Sequence, residues 1–126
     1  GYIMSSPVYD FTVPAVMKAF IERRFPMFYK NKGERGGPDA RVKQHFKKKA
    51  SLIATGSAGD EFAAIAEPCF EVMSGHFMLE EIDVVDQLYV GLIHSVDEQR
   101  YKEKMDETFN MGVRLVQAIN ESRKET

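Results

Sequence analysis

Two short runs of polar and aromatic residues follow apolar segments of the chain, and their residue types suit the binding of a flat heterocycle. Pro7 ends regular strand pairing, and Tyr9 offers an aromatic face with a hydroxyl at its rim. Ser57 adds a small hydroxyl, and Gly56 allows close approach of the backbone. The predicted ligand is therefore planar, apolar on its faces and polar along its edge. The two runs are Ser6-Pro7-Val8-Tyr9-Asp10-Phe11 and Thr55-Gly56-Ser57-Ala58-Gly59.

Side chains that could perform chemistry by themselves are few. The sequence has no Gly-x-Ser-x-Gly run and no Cys/His nucleophile pattern. Its three histidines share no metal-ligand spacing, so we assign no metal. The single cysteine, Cys69, is predicted to be a small buried side chain in a reducing compartment. We therefore expect no catalytic side chain, and we expect a bound cofactor to carry the chemistry.

The elements that must position these runs alternate between strands and helices. Short apolar segments at residues 2–5, 50–54 and 82–93 predict three strands, the first ending at Pro7. Apolar residues after each strand recur at spacings of three and four, which predicts amphipathic helices. The expected helices run from a Thr12 cap to Pro26, from Asp60 to about Leu79 with a kink or restart at Pro68, and from a Ser95/Glu98 capping box to about Asn120.

The apolar positions of the first and last helices each mark one face. Such a face normally packs on a sheet. In the first helix they are Val13, Val16, Met17, Phe20 and Ile21. In the last they are Tyr101, Met105, Phe109, Gly112, Val116 and Ile119.

Alternating strands and helices predict an α/β domain with a parallel sheet and right-handed crossovers. Ligands of such sheets bind outside the carboxyl ends of the strands. Both candidate runs follow a predicted strand, so we expect them to meet at one edge of the sheet. The first strand begins at residue 2 and its outer edge has no partner in this sequence. We expect that partner to be missing or to come from another chain.

Composition describes an ordinary globular protein. The 126 residues are 44% hydrophobic and 29% charged, enough for a single domain spanning residues 1–126. A formal net charge of −2 gives no reason to expect nucleic acid or a membrane surface as partner. No apolar run approaches the roughly 20 residues of a membrane span. The start of the chain lacks a basic-then-apolar signal segment, which favours a cytoplasmic location.

Residues 27–49 form a basic excursion broken by glycine and proline. It contains eight lysines and arginines and only two acidic residues, Glu34 and Asp39. A stretch of this length is either a solvated loop, or a lid or anion-attracting rim. Both interpretations stay open on the sequence alone.

The run Ser6-Pro7-Val8-Tyr9, followed by the helix Val13–Arg23 with its Lys-Ala-Phe-Ile-Glu-Arg signature, resembles the flavin-loop-plus-helix segment of NAD(P)H-dependent FMN reductases and iron–sulfur flavoproteins. The second run, Thr55-Gly56-Ser57, is similar to that family's turn after the next strand. The resemblance follows the order of elements along nearly the whole chain. Its specificity lies mainly in residues 5–24.

This resemblance implies a flavodoxin-like three-layer sandwich, of which the chain supplies strands 3, 4 and 5. It implies FMN held by Ser6, Pro7, Val8, Tyr9, Asp10, Phe11, Thr55, Gly56, Ser57 and Ala58. It further implies an FMN-dependent oxidoreductase that passes a hydride from NAD(P)H to a small-molecule electron acceptor, commonly as a homo-dimer or tetramer. The basic loop at residues 30–49 is then a candidate for attracting a nucleotide phosphate of NAD(P)H, with Lys47–Lys49 the residues whose charge reversal would test it.

Two departures from the family pattern bear on this prediction. Asp10-Phe11 stands where the family has an aromatic and a small residue, which places a carboxylate near the ring or turns it to solvent. The phosphate-binding loop of the fold follows its first strand, which residues 1–126 do not include, so we expect weak FMN binding by this chain alone. Two alternatives remain: a non-enzymatic flavodoxin-type electron carrier, and a truncated half-domain that acts only in assembly.

Overall fold

The structure, a computed structural model, describes residues 1–23, 48–78, 82–94 and 97–124. Within them, three strands form a parallel sheet in the order β1-β2-β3. The predicted α/β class and alternation of strands and helices are confirmed. The elements are β1 (Tyr2–Pro7), α1 (Ala15–Glu22), β2 (Lys49–Thr55), a 3₁₀ segment (Asp60–Ala66), α2 (Glu67–Met78), β3 (Asp83–Val90) and α3 (Glu98–Lys124).

The register brings the carboxyl ends of all three strands level with one another. Pro7 pairs with Thr55 across β1 and β2, and Thr55 pairs with Val90 across β2 and β3. A bulge between Ala50 and Ser51 absorbs one residue of offset near the start of β2. The loops after the three strands therefore begin side by side, as ligand binding in a parallel sheet requires.

The sheet is covered on both faces. On one face, side chains of alternate strand residues pack with α2 in the main core, among them Met4 and Leu52 with Met73 and Phe77. The opposite set of strand residues faces α3, which buries Met111 and Leu115. Burial on both faces explains why no residue of β2 is fully exposed and why residues 50–54 are apolar except Ser51.

Strand β1 ends at Pro7. The N–H of Val8 donates to the Thr55 carbonyl, so alternate β1 residues face β2 and the Pro7 nitrogen lies on the free edge of the strand. Because no ladder hydrogen bond is needed on that side, proline is tolerated as the last strand residue. The prediction that the strand ends at Pro7 is confirmed.

Helix caps also differ from expectation. Pro14, not Thr12, precedes α1, because Thr12 is held in a turn with Tyr9. The α1 N-terminus therefore has no side-chain cap. The side chain of Asp97 caps α3 by accepting a 2.7 Å hydrogen bond from the Arg100 N–H. The expected cap Ser95 lies outside the described residues.

The other helix boundaries refine the predictions. The region 60–78 restarts rather than kinks: the 3₁₀ segment ends at Ala66, and Pro68 lies in the first turn of α2, where its missing N–H costs nothing. Helix α3 continues through Lys124 instead of ending near Asn120.

The amphipathic face assigned to α3 is the largest correction. Tyr101, Met105, Phe109 and Val116 are exposed, and the helix packs on the sheet through Met111 and Leu115 instead. In α1, similarly, Val16 and Phe20 are exposed, and the helix has no buried residue. The face predicted for α1 is partly confirmed, because Val13 is buried in the core and Met17 packs against it. In α3 the 3.6-residue period was correct, but it identified a surface that the described part of the chain leaves largely uncovered.

The predicted basic excursion lies outside the described residues except at its end. Lys49 is already the first residue of β2 and its Nζ lies 2.7 Å from Oδ2 of Asp83. Lys48 donates a 3.1 Å hydrogen bond to the Tyr2 hydroxyl. Among the described helices, none is both long and apolar enough to cross a membrane.

Candidate functional site

The two predicted runs meet at the carboxyl ends of β1 and β2. The backbone N–H of Val8 donates a 2.8 Å hydrogen bond to the Thr55 carbonyl, one step past the Pro7–Thr55 pair. This bond carries the pairing of the strands into the loops that follow them. Tyr9 and Ser57 therefore leave the sheet from adjacent points of the same edge.

The first run folds back on itself in a tight turn. Tyr9 and Thr12 exchange two backbone hydrogen bonds of 2.9 and 3.0 Å, and the two residues between them, Asp10 and Phe11, have φ angles of 49° and 65°. Positive φ at both central residues is the pattern of a type I′ turn. Glycine or asparagine normally occupies such positions, and a phenylalanine there is strained. Strain of this kind is typical of a functional loop.

The turn presents two aromatic rings to solvent. Tyr9 and Phe11 are 64% and 63% exposed, although each ring could bury a large apolar area. Asp10 is also exposed between them. Two uncovered rings beside the end of a buried strand form a surface suited to a flat apolar ligand.

The second run is held rigidly by the segment after β3. The Gly56 N–H donates to the Val90 carbonyl, and the N–H groups of Leu92 and Ile93 donate to the carbonyls of Ala58 and Gly56. The hydroxyl of Tyr89 donates a further 3.0 Å hydrogen bond to the Ala58 carbonyl. Burial, followed by the negative charges of Asp60 and Glu61, raises the pKa of Tyr89, which keeps this hydroxyl protonated as a donor.

Gly56 has a structural role as well. Any side chain there would meet the ring of Tyr89, which fills the space beside the glycine. Close approach of a ligand is therefore not needed to explain this residue. Its neighbours Ser57 and Ala58 have backbone N–H groups with no partner within the described part of the chain, and the same holds for Asp10 and Phe11. These N–H groups are available to carbonyl oxygens of a ligand.

A third loop, which sequence reasoning missed, supports the other two. The Gly91 N–H donates a 2.8 Å hydrogen bond to Oδ1 of Asp60, and Oδ2 of Asp60 lies 3.2 Å from Nη2 of Arg100 and 3.0 Å from Nζ of Lys104. Arg100 also donates to the Gly91 carbonyl. The one available signal was Gly91 at the end of a strand: a side chain there would collide with the backbone at Ala58.

The charges of this network favour an ionised Asp60. Burial would raise the pKa of its carboxyl, but the Gly91 hydrogen bond, Lys104 and Arg100 together lower the pKa below its ordinary value. Burial by itself would lower the pKa of Lys104, but the hydrogen bonds and negative charges of Glu107 and Asp60 raise that pKa above its ordinary value. The network connects the first turns of α3 to the second loop. The charges of Asp60, Arg100 and Lys104 are paired with one another within it.

Ser6 and Cys69 lie beneath the site rather than in it. The Ser6 side chain is 1% exposed and its hydroxyl donates a 3.0 Å hydrogen bond to the Pro7 carbonyl, and the Cys69 thiol is fully buried. Burial raises the pKa of that thiol, so it is unreactive. The Ser6 side chain is buried and its backbone faces β2 in the sheet ladder, so Ser6 offers no group to a ligand, whereas Tyr9, Asp10, Phe11 and Ser57 present exposed side chains.

The described part of the chain gathers no three histidine, cysteine, aspartate or glutamate side chains in a position to hold a metal ion. The chain matches no protein-family model, no curated protein and no solved structure. Fold and site together define the class: an α/β protein with an open parallel sheet. Exposed aromatic rings and unpaired N–H groups lie at the carboxyl edge of that sheet.

Proposed function

We propose that this chain forms the ring-binding part of an FMN-dependent NAD(P)H oxidoreductase with a flavodoxin-like sheet. The observation that carries the proposal is the Val8–Thr55 hydrogen bond, because it starts the turn that carries Tyr9 and Phe11 beside the turn that carries the N–H groups of Ser57 and Ala58. A flavin has the complementary features: a flat apolar face for the rings and a carbonyl-bearing edge for the donors.

Bound FMN would supply the hydride-transfer chemistry between NAD(P)H and a small-molecule acceptor such as a quinone or a free flavin. The residues of this chain act by binding and orienting. Tyr9 and Phe11 cover ring surface and exclude water, and the N–H groups of Ser57 and Ala58 donate to acceptors along the ring edge. The Tyr89 hydroxyl and the Asp60 network keep the second loop in place.

Of the basic residues at 30–49 that were expected to attract a nicotinamide phosphate, the structure describes Lys48 and Lys49. Lys48 and Lys49 lie at the amino end of β2, about 20 Å from Thr55 along the strand. Lys49 is also paired with Asp83. This part of the prediction is therefore dropped for these two residues.

Flavin titration of the purified chain tests the proposal. We expect FMN and riboflavin to bind with quenching of flavin fluorescence and with affinities within about threefold, since the chain contacts the ring and not the phosphate. Oxidation of NAD(P)H in the presence of a quinone then separates a reductase from an electron carrier, which binds flavin without oxidising NAD(P)H. Absence of binding at millimolar flavin contradicts the proposal.

A further inference from the structure

The loop after β3, residues 91–94 and called the third loop below, lies directly beside the second loop. The N–H of Leu92 donates a 3.0 Å hydrogen bond to the Ala58 carbonyl, and the N–H of Ile93 donates a 3.3 Å hydrogen bond to the Gly56 carbonyl. Two successive residues of the third loop are therefore fixed to the run that offers N–H groups to a ligand. The third loop begins at the same edge of the sheet as the two predicted runs.

The backbone of the third loop is strained at Leu92. Its φ of 51° lies in the left-handed region, which leucine rarely adopts. Such a conformation persists only where the surroundings determine it, and here Gly91 is held on both sides, by Oδ1 of Asp60 at its N–H and by Arg100 at its carbonyl. Backbone strain that is maintained in this way is concentrated in ligand-binding loops.

The next residue of the strained loop, Ile93, presents an apolar side chain at this edge. The side chain is 51% exposed although its backbone N–H is bound to Gly56. Because isoleucine is branched at Cβ, its first side-chain torsion is already restricted, and contact with a ligand costs little conformational entropy. A stiff apolar side chain on a fixed loop suits the apolar part of a ligand.

The spacing of the strands sets the length of a ligand that can reach the third loop. Pro7 and Val90 both pair with Thr55, one from each side of β2. Neighbouring strands are about 4.8 Å apart, so the first and third loops begin about 9.6 Å from each other. This distance is close to the length of three fused six-membered rings with the groups attached to them. Two fused rings are shorter.

A flavin ring system has different chemistry at its two ends. One end carries carbonyl groups, which the N–H groups of Ser57 and Ala58 suit. The other end is a fused benzene ring with two methyl groups, called the outer ring below, and it offers no hydrogen-bonding group. The outer ring needs an apolar neighbour, and an exposed aliphatic side chain such as that of Ile93 provides one.

We propose that the third loop is a wall of the ring-binding site and that Ile93 contacts the outer ring of the bound flavin. The inference rests on the proposed flavin binding and adds a size requirement to it. Heterocycles of three fused rings reach Ile93, whereas heterocycles of two fused rings do not. The site therefore selects a tricyclic ligand over a bicyclic pteridine that has the same carbonyl-bearing end.

Fluorescence titration with riboflavin and with dimethyl-ribityllumazine tests this assignment. The lumazine is a bicyclic pteridine that keeps the ribityl chain and the carbonyl-bearing ring of riboflavin but lacks its outer ring. We expect the wild-type chain to bind riboflavin about tenfold more tightly than the lumazine. Ile93→Ala should weaken riboflavin binding about 5- to 10-fold and leave lumazine binding within about twofold of the wild type.

Two further variants control for indirect effects. Ile93→Val keeps a side chain branched at Cβ and should bind riboflavin within about threefold of the wild type. Ile3→Ala is the matched control, since Ile3 is 59% exposed but lies near the amino end of β1, at the opposite end of the sheet. It should bind both ligands as the wild type does. Circular dichroism and urea unfolding verify that each variant is folded.

Equal affinities of the wild type for riboflavin and the lumazine overturn the inference, and so does an Ile93→Ala variant that binds riboflavin as tightly as the wild type. Equal weakening of both ligands by Ile93→Ala does the same, because it shows a disturbance of the whole site. In these three cases riboflavin still binds and the proposed function stands. Absence of riboflavin binding to the wild type contradicts the proposed function itself, and this inference with it.

Discussion

The N–H of Val8 and the carbonyl of Thr55 are joined by a 2.8 Å hydrogen bond just beyond the last residue pair of β1 and β2. This bond makes the turn after β1 and the glycine turn after β2 parts of one surface. The turn that carries the exposed rings of Tyr9 and Phe11 begins at the next residue.

Replacing Tyr9 by alanine should weaken flavin binding about 5- to 15-fold, since an aromatic contact contributes about 1–1.5 kcal/mol beyond area burial. Tyr9→Phe keeps the ring and should stay within threefold of the wild type. Phe62→Ala, which removes an exposed ring outside the site, is the control. Fluorescence titration with riboflavin measures all three, and equal affinities for Tyr9→Ala and the wild type would remove Tyr9 from the site.

Phe11→Gly should separate stability from binding. Glycine relieves a φ of 65° that costs phenylalanine on the order of 1 kcal/mol, but it also loses more entropy on folding. We therefore expect a free energy of unfolding equal to or up to about 1 kcal/mol above that of the wild type, with weaker flavin binding. Phe11→Val should destabilise the protein, because a β-branched residue fits this backbone poorly. Urea unfolding measures the free energy of unfolding of each variant. A decrease of more than about 2 kcal/mol for Phe11→Gly would show that the Phe11 ring supports the fold.

Asp60→Asn should change the acid dependence of stability. A carboxyl whose pKa is lowered by folding contributes stability above its ordinary pKa, and this contribution is lost as pH falls through the lowered value. We expect Asp60→Asn to cost about 1 kcal/mol or less at pH 7, because the group is partly exposed. The difference from the wild type should shrink below about pH 4. Urea unfolding between pH 3 and pH 7 provides the test, and a constant difference would show that Asp60 acts without its charge.

Gly91→Ala should destabilise the loop after β3, by about 2 kcal/mol or more. Its added methyl group would collide with the Ala58 carbonyl and with backbone atoms of Gly59 and Asp60, none of which can move alone. Gly75→Ala is the matched control, since it meets open space within α2 and should stabilise the helix by about 0.5–1 kcal/mol. Thermal unfolding measures the melting temperatures of both variants. Equal values for Gly91→Ala and Gly75→Ala would contradict the close approach of Gly91 to the backbone at Ala58.

The sequence alone determined the order of elements and the position of the candidate loops. Short apolar strand segments alternate with stretches whose apolar residues repeat every 3.6 residues. This alternation predicts a parallel α/β sheet. Since parallel strands end at the same edge, the runs at Tyr9 and Ser57 had to come together. These are consequences of chain order and local pattern, which a linear sequence records.

The tertiary structure decided which surfaces are covered and which residues support the loops. The apolar period of α3 could not show that Leu115 faces the sheet and Phe109 faces solvent, because both arcs of the helix are apolar. Asp60, Gly91 and Arg100 are far apart in sequence, and only folding places the carboxylate between them. Such choices depend on packing between distant segments, whose free energies no local pattern contains.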